Sequence, residues 1–220
     1  DVWHTYYGPY AGYFDNNKAD NAQVIARGSS NAASMGDWST TLPNNGISIT
    51  NSNINDANVG VYLLGDTTAT FTDTNISNPS SFGVYTVGEN SVTFDDLNVS
   101  DTTTSGLQNY GFFSSTTSTG AITIKNSNFS GLYTSLYFNN DVGTTVESTN
   151  VSNGEYGLRI GGQSDADYNL DGLTISNMNT GVDAAGTGKL TIKDCVFVSS
   201  NNFDVVLNDA RNAEFIDGSF

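Results

Sequence analysis

The stretch FTDTNIS, Phe71–Ser77, recurs down the chain. FDDLNVS (Phe94–Ser100), IKNSNFS (Ile124–Ser130) and VESTNVS (Val146–Ser152) share its plan: an apolar residue, an Asn four positions later, a second apolar residue, then Ser. Aligned on the Asn75 column, the chain gives Asn53, Asn75, Asn98, Asn128, Asn150, Thr174, Val196 and Ser219, spaced by 22, 23, 30, 22, 24, 22 and 23 residues. One insertion, in the third interval, interrupts the period. Repetition at this length means one small unit stacked on itself.

Three rules hold in every copy. Four residues before the column stands a large apolar residue: Ile49, Phe71, Phe94, Ile124, Val146, Leu170, Ile192, Phe215. One residue after it stands another, from Ile54 and Ile76 through to Phe197 and Phe220. Two residues before it stands a turn former: Asn51, Asp73, Asp96, Asn126, Ser148, Gly172, Asp194, Asp217. Asx and Gly accept the left-handed backbone that a sharp corner requires, so each copy reads as strand, bend, strand. A further apolar block follows, mostly entered through Gly: Gly-Val-Tyr (60–62), Gly-Val-Tyr (83–85), Gly-Phe-Phe (111–113), Ser-Leu-Tyr (135–137), Gly-Leu-Arg (157–159), Gly-Val-Asp (181–183) and Asp-Val-Val (204–206). It predicts a third strand per copy.

These copies resemble the repeats of right-handed parallel β-helix proteins, the pectate-lyase-like superfamily, over Gly46–Phe220. The resemblance implies an all-β, single-stranded right-handed parallel β-helix (a β-solenoid) of about eight coils of 22–24 residues, three short strands to a coil. Leucine-rich repeats have a similar period but need a Leu-dominated consensus, and Leu is sparse here. Residues 1–45 read as an aromatic and Gly-rich N-terminal segment or an irregular first coil, with QVIARG (Gln23–Gly28) as one strand of an early coil. The half-finished last copy, AEFIDGSF, predicts that the rod continues or stacks on another subunit, because open strand edges are normally covered.

Net charge is −16 with seven Lys plus Arg, which excludes nucleic acid and anionic membrane as partners by like-charge repulsion. No apolar run reaches the roughly 18 residues of a membrane helix, so no membrane insertion is expected. The chain opens at Asp1 without a signal peptide, as a processed or excised piece would. Its Ser, Thr, Asn and Gly content and its sequons point to secretion and an extracellular, cell-surface location. The single cysteine, Cys195, forbids an intrachain disulfide framework; parity turns it inward, as a buried, inert thiol.

Outward columns carry the candidate functions. The first strand presents Ser48, Thr70, Thr93, Thr123, Thr145, Asn169 and Thr191, but the adjacent column is irregular, which argues against ice binding. The third strand presents Tyr62, Tyr85, Phe113 and Tyr137, then Arg159 and Asp183. Exposed stacked aromatics are costly unless covered. Sugar rings stack on such faces, and Arg159 can hold a carboxylate, so these are the carbohydrate-binding candidates. The plain alternative is packing beneath the insertion (Asp101–Tyr110) or the N-terminal segment. Asn75, Asn98, Asn128 and Asn150 each begin an Asn-x-Ser sequon and face outward, which makes them glycosylation candidates. At the roughly 4.8 Å spacing of adjacent strands four sugars would crowd, so only some are expected to be occupied. The structural alternative is an amide ladder.

No catalytic constellation is legible. The one histidine, His4, lies outside the repeats. The resemblance implies, for a lyase, acidic calcium ligands with a basic residue, here Asp73, Asp95 and Asp96 with Lys125 or Arg159; for a hydrolase, three Asp on adjacent coils. Asp73 and Asp96, however, sit in the bend column. One metal motif stands apart. In DADYNLDG the spacing Asp167-x-Asn169-x-Asp171-Gly172 matches the first half of an EF-hand calcium loop, with Met178 where its Glu belongs, and Asp165 joins these three as a metal-ligand candidate. No cofactor other than calcium is expected.

The expected function is a non-enzymatic structural or adhesive module of a cell-surface, surface-layer or filament protein. Its partners would be its own copies or further coils. A polysaccharide-binding or polysaccharide-degrading domain is the alternative, and a trimeric viral tailspike segment the third.

Overall fold

The computed structural model describes residues 5–6, 12–15, 18–20, 24–27, 47–64, 67–87, 90–103, 108–115, 120–139, 143–161, 166–208 and 212–219. Every regular element among them is a β-strand. Strands β1 (Thr5–Tyr6), β2 (Gly12–Asp15), β3 (Lys18–Asp20) and β4 (Val24–Arg27) come first. The repeats begin with β5 (Ile47–Asn55) and β6 (Val59–Leu64), followed by β7 (Thr67–Ser77), β8 (Phe82–Val87), β9 (Asn90–Ser100) and β10 (Tyr110–Ser114). The fourth copy splits into β11 (Ile122–Lys125), β12 (Asn128–Ser130) and β13 (Thr134–Phe138). Next come β14 (Thr144–Glu147), β15 (Asn150–Ile160), β16 (Tyr168–Asp171) and β17 (Thr174–Ala184). The last copies supply β18 (Lys189–Lys193), β19 (Val196–Val198), β20 (Phe203–Leu207) and β21 (Asn212–Ile216).

All pairings are parallel, each strand lying beside its counterpart one copy away, as in β5–β7–β9 and β6–β8–β10. The result is a β-solenoid. The repeat alignment is the pairing register: Asn53 lies beside Asn75, then Asn98, Asn128, Asn150, Thr174, Val196 and Ser219. The N-terminal strands join the same stack, β2 and β3 on β5 and β4 on β6.

The expected eight coils are an over-count, since the solenoid makes about six turns. The last copy is not a full turn, because β21 has no third-side strand after it among the described residues.

The eight bend residues all adopt φ between 45° and 67°. The bend is held from inside. At the position after it, Ser52, Thr74, Ser127 and Thr149 are buried, and each hydroxyl donates to the carbonyl two residues back at 2.7–3.2 Å. Cys195 takes the same place: it is 1 % exposed, its Sγ is 3.3 Å from the Lys193 carbonyl oxygen, and burial pushes its thiol pKa up. A second corner lies three residues after the Asn column. Asp56, Asn78, Gly131, Asn153, Asn177 and Ser199 have φ of 51–72° there.

The interior is a set of apolar columns, among them Phe71 stacked on Phe94 at 4.7 Å. Each such side chain contributes about 1.5–3 kcal/mol through burial. The entry glycines are steric requirements: a Cβ on Gly83 would sit 2.5 Å from the Gly111 carbonyl oxygen, and one on Gly157 2.5 Å from that of Gly181.

Candidate functional site

Two outward faces gather the candidate residues. On the third side, Tyr62, Tyr85, Phe113, Tyr137, Arg159 and Asp183 stand in one pairing register. They are joined by a second row that the alternation of strand residues hides. β8 has the burial order half-buried, buried, buried, half-buried from Phe82 to Tyr85, and β10 repeats it from Tyr110 to Phe113. Two consecutive buried residues at the entry glycine reverse the alternation, so Phe82 and Tyr110 face outward with the predicted column.

The rings spend their surface on one another. Tyr62 and Tyr85 are parallel, 5.0 Å apart, and Phe82 stacks on Tyr85 at 4.8 Å and on Tyr110 at 5.2 Å. Phe113 meets Phe82, Tyr85, Tyr110 and Tyr137 edge to face at 5.0–5.4 Å. The Arg159 guanidinium closes the row, 4.4 Å from the Tyr156 ring centroid and 5.4 Å from that of Tyr137. It donates from Nε to Asp183 at 3.2 Å. Tyr110 opens β10 in register with Phe82 and Thr134, and the insertion before it is tied at its base by the buried Asn109: its amide donates to Asp101 at 2.6 Å and to the Pro79 carbonyl at 3.1 Å, and accepts the Tyr133 N–H at 2.9 Å. Residues 104–107 of the insertion lie outside the described residues.

On the second side the sequon column forms an amide ladder. Asn98 donates from Nδ2 to Asn75 Oδ1 at 3.2 Å, and Asn128 from Nδ2 to Asn98 Oδ1 at 2.8 Å. These three are half-buried and Asn150 is exposed. A parallel ladder runs along the second corner, Asn78 to Asp56 at 3.0 Å and Asn177 to Asn153 at 3.3 Å. The repeated Asx at that corner is the signal that would have located it.

The residues considered for catalysis are dispersed into these scaffolds. Asp73 and Asp96 hold bends at φ of 53° and 63°. Asp95 pairs with Lys125 of the next copy at 3.0 Å and accepts from Asn126 at 2.8 Å. The Asn126 hydrogen bond, then Lys125, hold its carboxyl below the usual carboxylate range. Of the EF-hand-like set, Asp165 lies outside the described residues. Asp167, Asn169 and Asp171 fall in and beside β16 as a row at every second position of extended chain. Asp167 accepts the Lys189 N–H at 2.8 Å, and Asp171 pairs with Lys193 at 2.8 Å. An EF-hand curls its ligands round the ion, whereas an extended strand spaces every second residue about 6–7 Å apart. His4 also lies outside the described residues.

Parallel strands, left-handed bends and stacked interior columns match a described family. The family model for the right-handed β-helix region matches residues 39–116 and 110–220. The chain belongs to the right-handed β-helix family. No curated protein and no solved structure matches it. Membership in this β-helix family establishes the architecture, and one architecture hosts many activities.

Proposed function

We propose that the chain is a non-enzymatic structural or adhesive segment of an extracellular surface, surface-layer or filament protein. The observation that carries this reading is that the polar groups a β-helix enzyme would draw on serve the scaffold: Asp95 with Lys125 and Arg159 with Asp183 tie one coil to the next, and Asp73 and Asp96 hold bends. The last described copies support an assembling partner. Phe203, Phe215, Leu207 and Val198 are 41–59 % exposed there, which is costly for isolated surface. The partner we propose is a coil of a second copy of this chain. Sedimentation velocity tests this: the 220-residue chain associates with rising concentration, and Phe203→Asp with Phe215→Asp abolishes the association.

The aromatic face favours a second reading, polysaccharide binding. Seven half-buried rings, with Arg159 at one end, offer apolar edges and phenol hydroxyls to a glycan chain. A broad glycan array distinguishes the two: binding that is lost in Tyr85→Ala with Tyr137→Ala favours the second, and release of products from polyuronides in the presence of calcium overturns the first.

A further inference from the structure

We infer that Asn150 is the residue of the sequon column that carries an N-linked glycan in the folded protein, and that Asn75, Asn98 and Asn128 are retained for the ladder. The inference rests on the extracellular reading above, since the modification needs a secretory machinery.

The four sequons differ in their surroundings although their sequences match. The Nδ2 atoms of Asn98 and Asn128 are donors in the ladder, and Asn75 Oδ1 accepts its first bond. Nδ2 is the atom that a glycan substitutes. A sugar on Asn98 would have an Asn side chain on both sides, Asn75 and Asn128, at the spacing of adjacent strands. Asn128 is enclosed in the same way by Asn98 and Asn150. Asn150 is the exposed member. Its other neighbour is Thr174, a shorter side chain, followed by Val196, so the column opens on that side. Ser148 and Ser152, two positions away on the same chain, are small, and Ser148 is exposed. Chain parity places Ser152 on the same outward side as Asn150, as the sequon needs.

The modification joins Asn150 Nδ2 to the anomeric carbon of a lipid-pyrophosphate-linked glycan. The N–C bond forms as the C–O bond to phosphate breaks, the lipid pyrophosphate leaves with the electron pair, and the amide gives up one proton. The product amide keeps one N–H.

The test is to secrete the 220-residue chain from a eukaryotic host and to measure the intact mass and glycopeptides of the folded, monodisperse fraction. One glycan is expected, on Asn150, absent in Asn150→Gln and in Ser152→Ala; the second variant leaves the Asn in place should the first misfold. Asn98→Gln and Asn128→Gln are expected to keep the mass increment. No attached sugar, or a sugar on Asn75, Asn98 or Asn128 of the folded fraction, overturns the inference. Sedimentation of the unglycosylated chain reads the assembly proposal separately, so either can fail alone.

Discussion

On the side that carries Asn75, Asn98 and Asn128, neighbouring coils are tied outside the core by amide bonds of 2.8–3.2 Å. On the side that carries Tyr85, Phe113 and Tyr137 they are tied by rings 5.0–5.2 Å apart. Both faces use the same strand spacing, yet they tolerate change differently. An amide ladder is directional and needs a donor and an acceptor at each level. Its bonds run from Asn75 to Asn128 and stop one level before Asn150. Ring contacts are adaptable: Tyr, Phe and finally the Arg159 cation over Tyr137 continue one row. The polar face is thus a directional ladder over three levels, and the aromatic face a looser row that a second column, Phe82 and Tyr110, joins.

The largest expected effect probes the backbone beneath the aromatic face. Gly83→Ala forces a Cβ to 2.5 Å from the Gly111 carbonyl, and overpacking of this kind costs about 3 kcal/mol. The contrasting glycine is Gly172, at a bend with φ of 67° and no atom nearer than 3.8 Å to its Cβ position. Gly172→Asn is expected to stay within about 0.5 kcal/mol, because Asn accepts that conformation. Urea unfolding of both variants checks the pair.

Next comes the ring cluster. Phe113→Ala removes four edge-to-face contacts and is expected to cost about 2 kcal/mol. A double-mutant cycle with Tyr85→Ala should show a coupling of about 1 kcal/mol; no coupling would make the two rings independent. Asn98→Ala breaks two ladder bonds and should cost about 1 kcal/mol, with a smaller effect for Asn150→Ala, which makes no ladder bond. If the two losses are equal, the ladder contributes nothing.

The smallest effect is electrostatic. Asp95 has its folded pKa depressed by the Asn126 hydrogen bond and Lys125. Its contribution is therefore present above the unfolded carboxylate pKa and is lost as pH falls through the folded value. Asp95→Asn should flatten the acid limb of the stability profile and leave neutral pH nearly unchanged, because exposed pairs contribute little.

Much of this fold was legible because a solenoid writes its register into its period. The bend column from Asn51 to Asp217, the inward Cys195 and the outward Tyr62–Arg159 row follow from alignment and parity alone. Parity failed at the entry glycines, where two buried residues in succession turn Phe82 and Tyr110 outward. The second corner, Asp56 to Ser199, was equally regular but sat between two strands already assigned. The coil number was overestimated because bends are easier to count than turns. The functional residues were less legible: the family resemblance implies Asp95 and Lys125 as candidates for chemistry, and only the pairing between copies makes them a bond across coils. Asn150 differs from its fellow sequons solely through its neighbour Thr174 and its exposure.

The central claim, a stacking module whose outward polar groups serve coil cohesion, is tested most directly by sedimentation velocity of the 220-residue chain across a concentration series, beside Phe203→Asp with Phe215→Asp. The account predicts association that grows with concentration and disappears in the double variant. A chain that sediments as a monomer at every concentration, identical to the double variant, would contradict it.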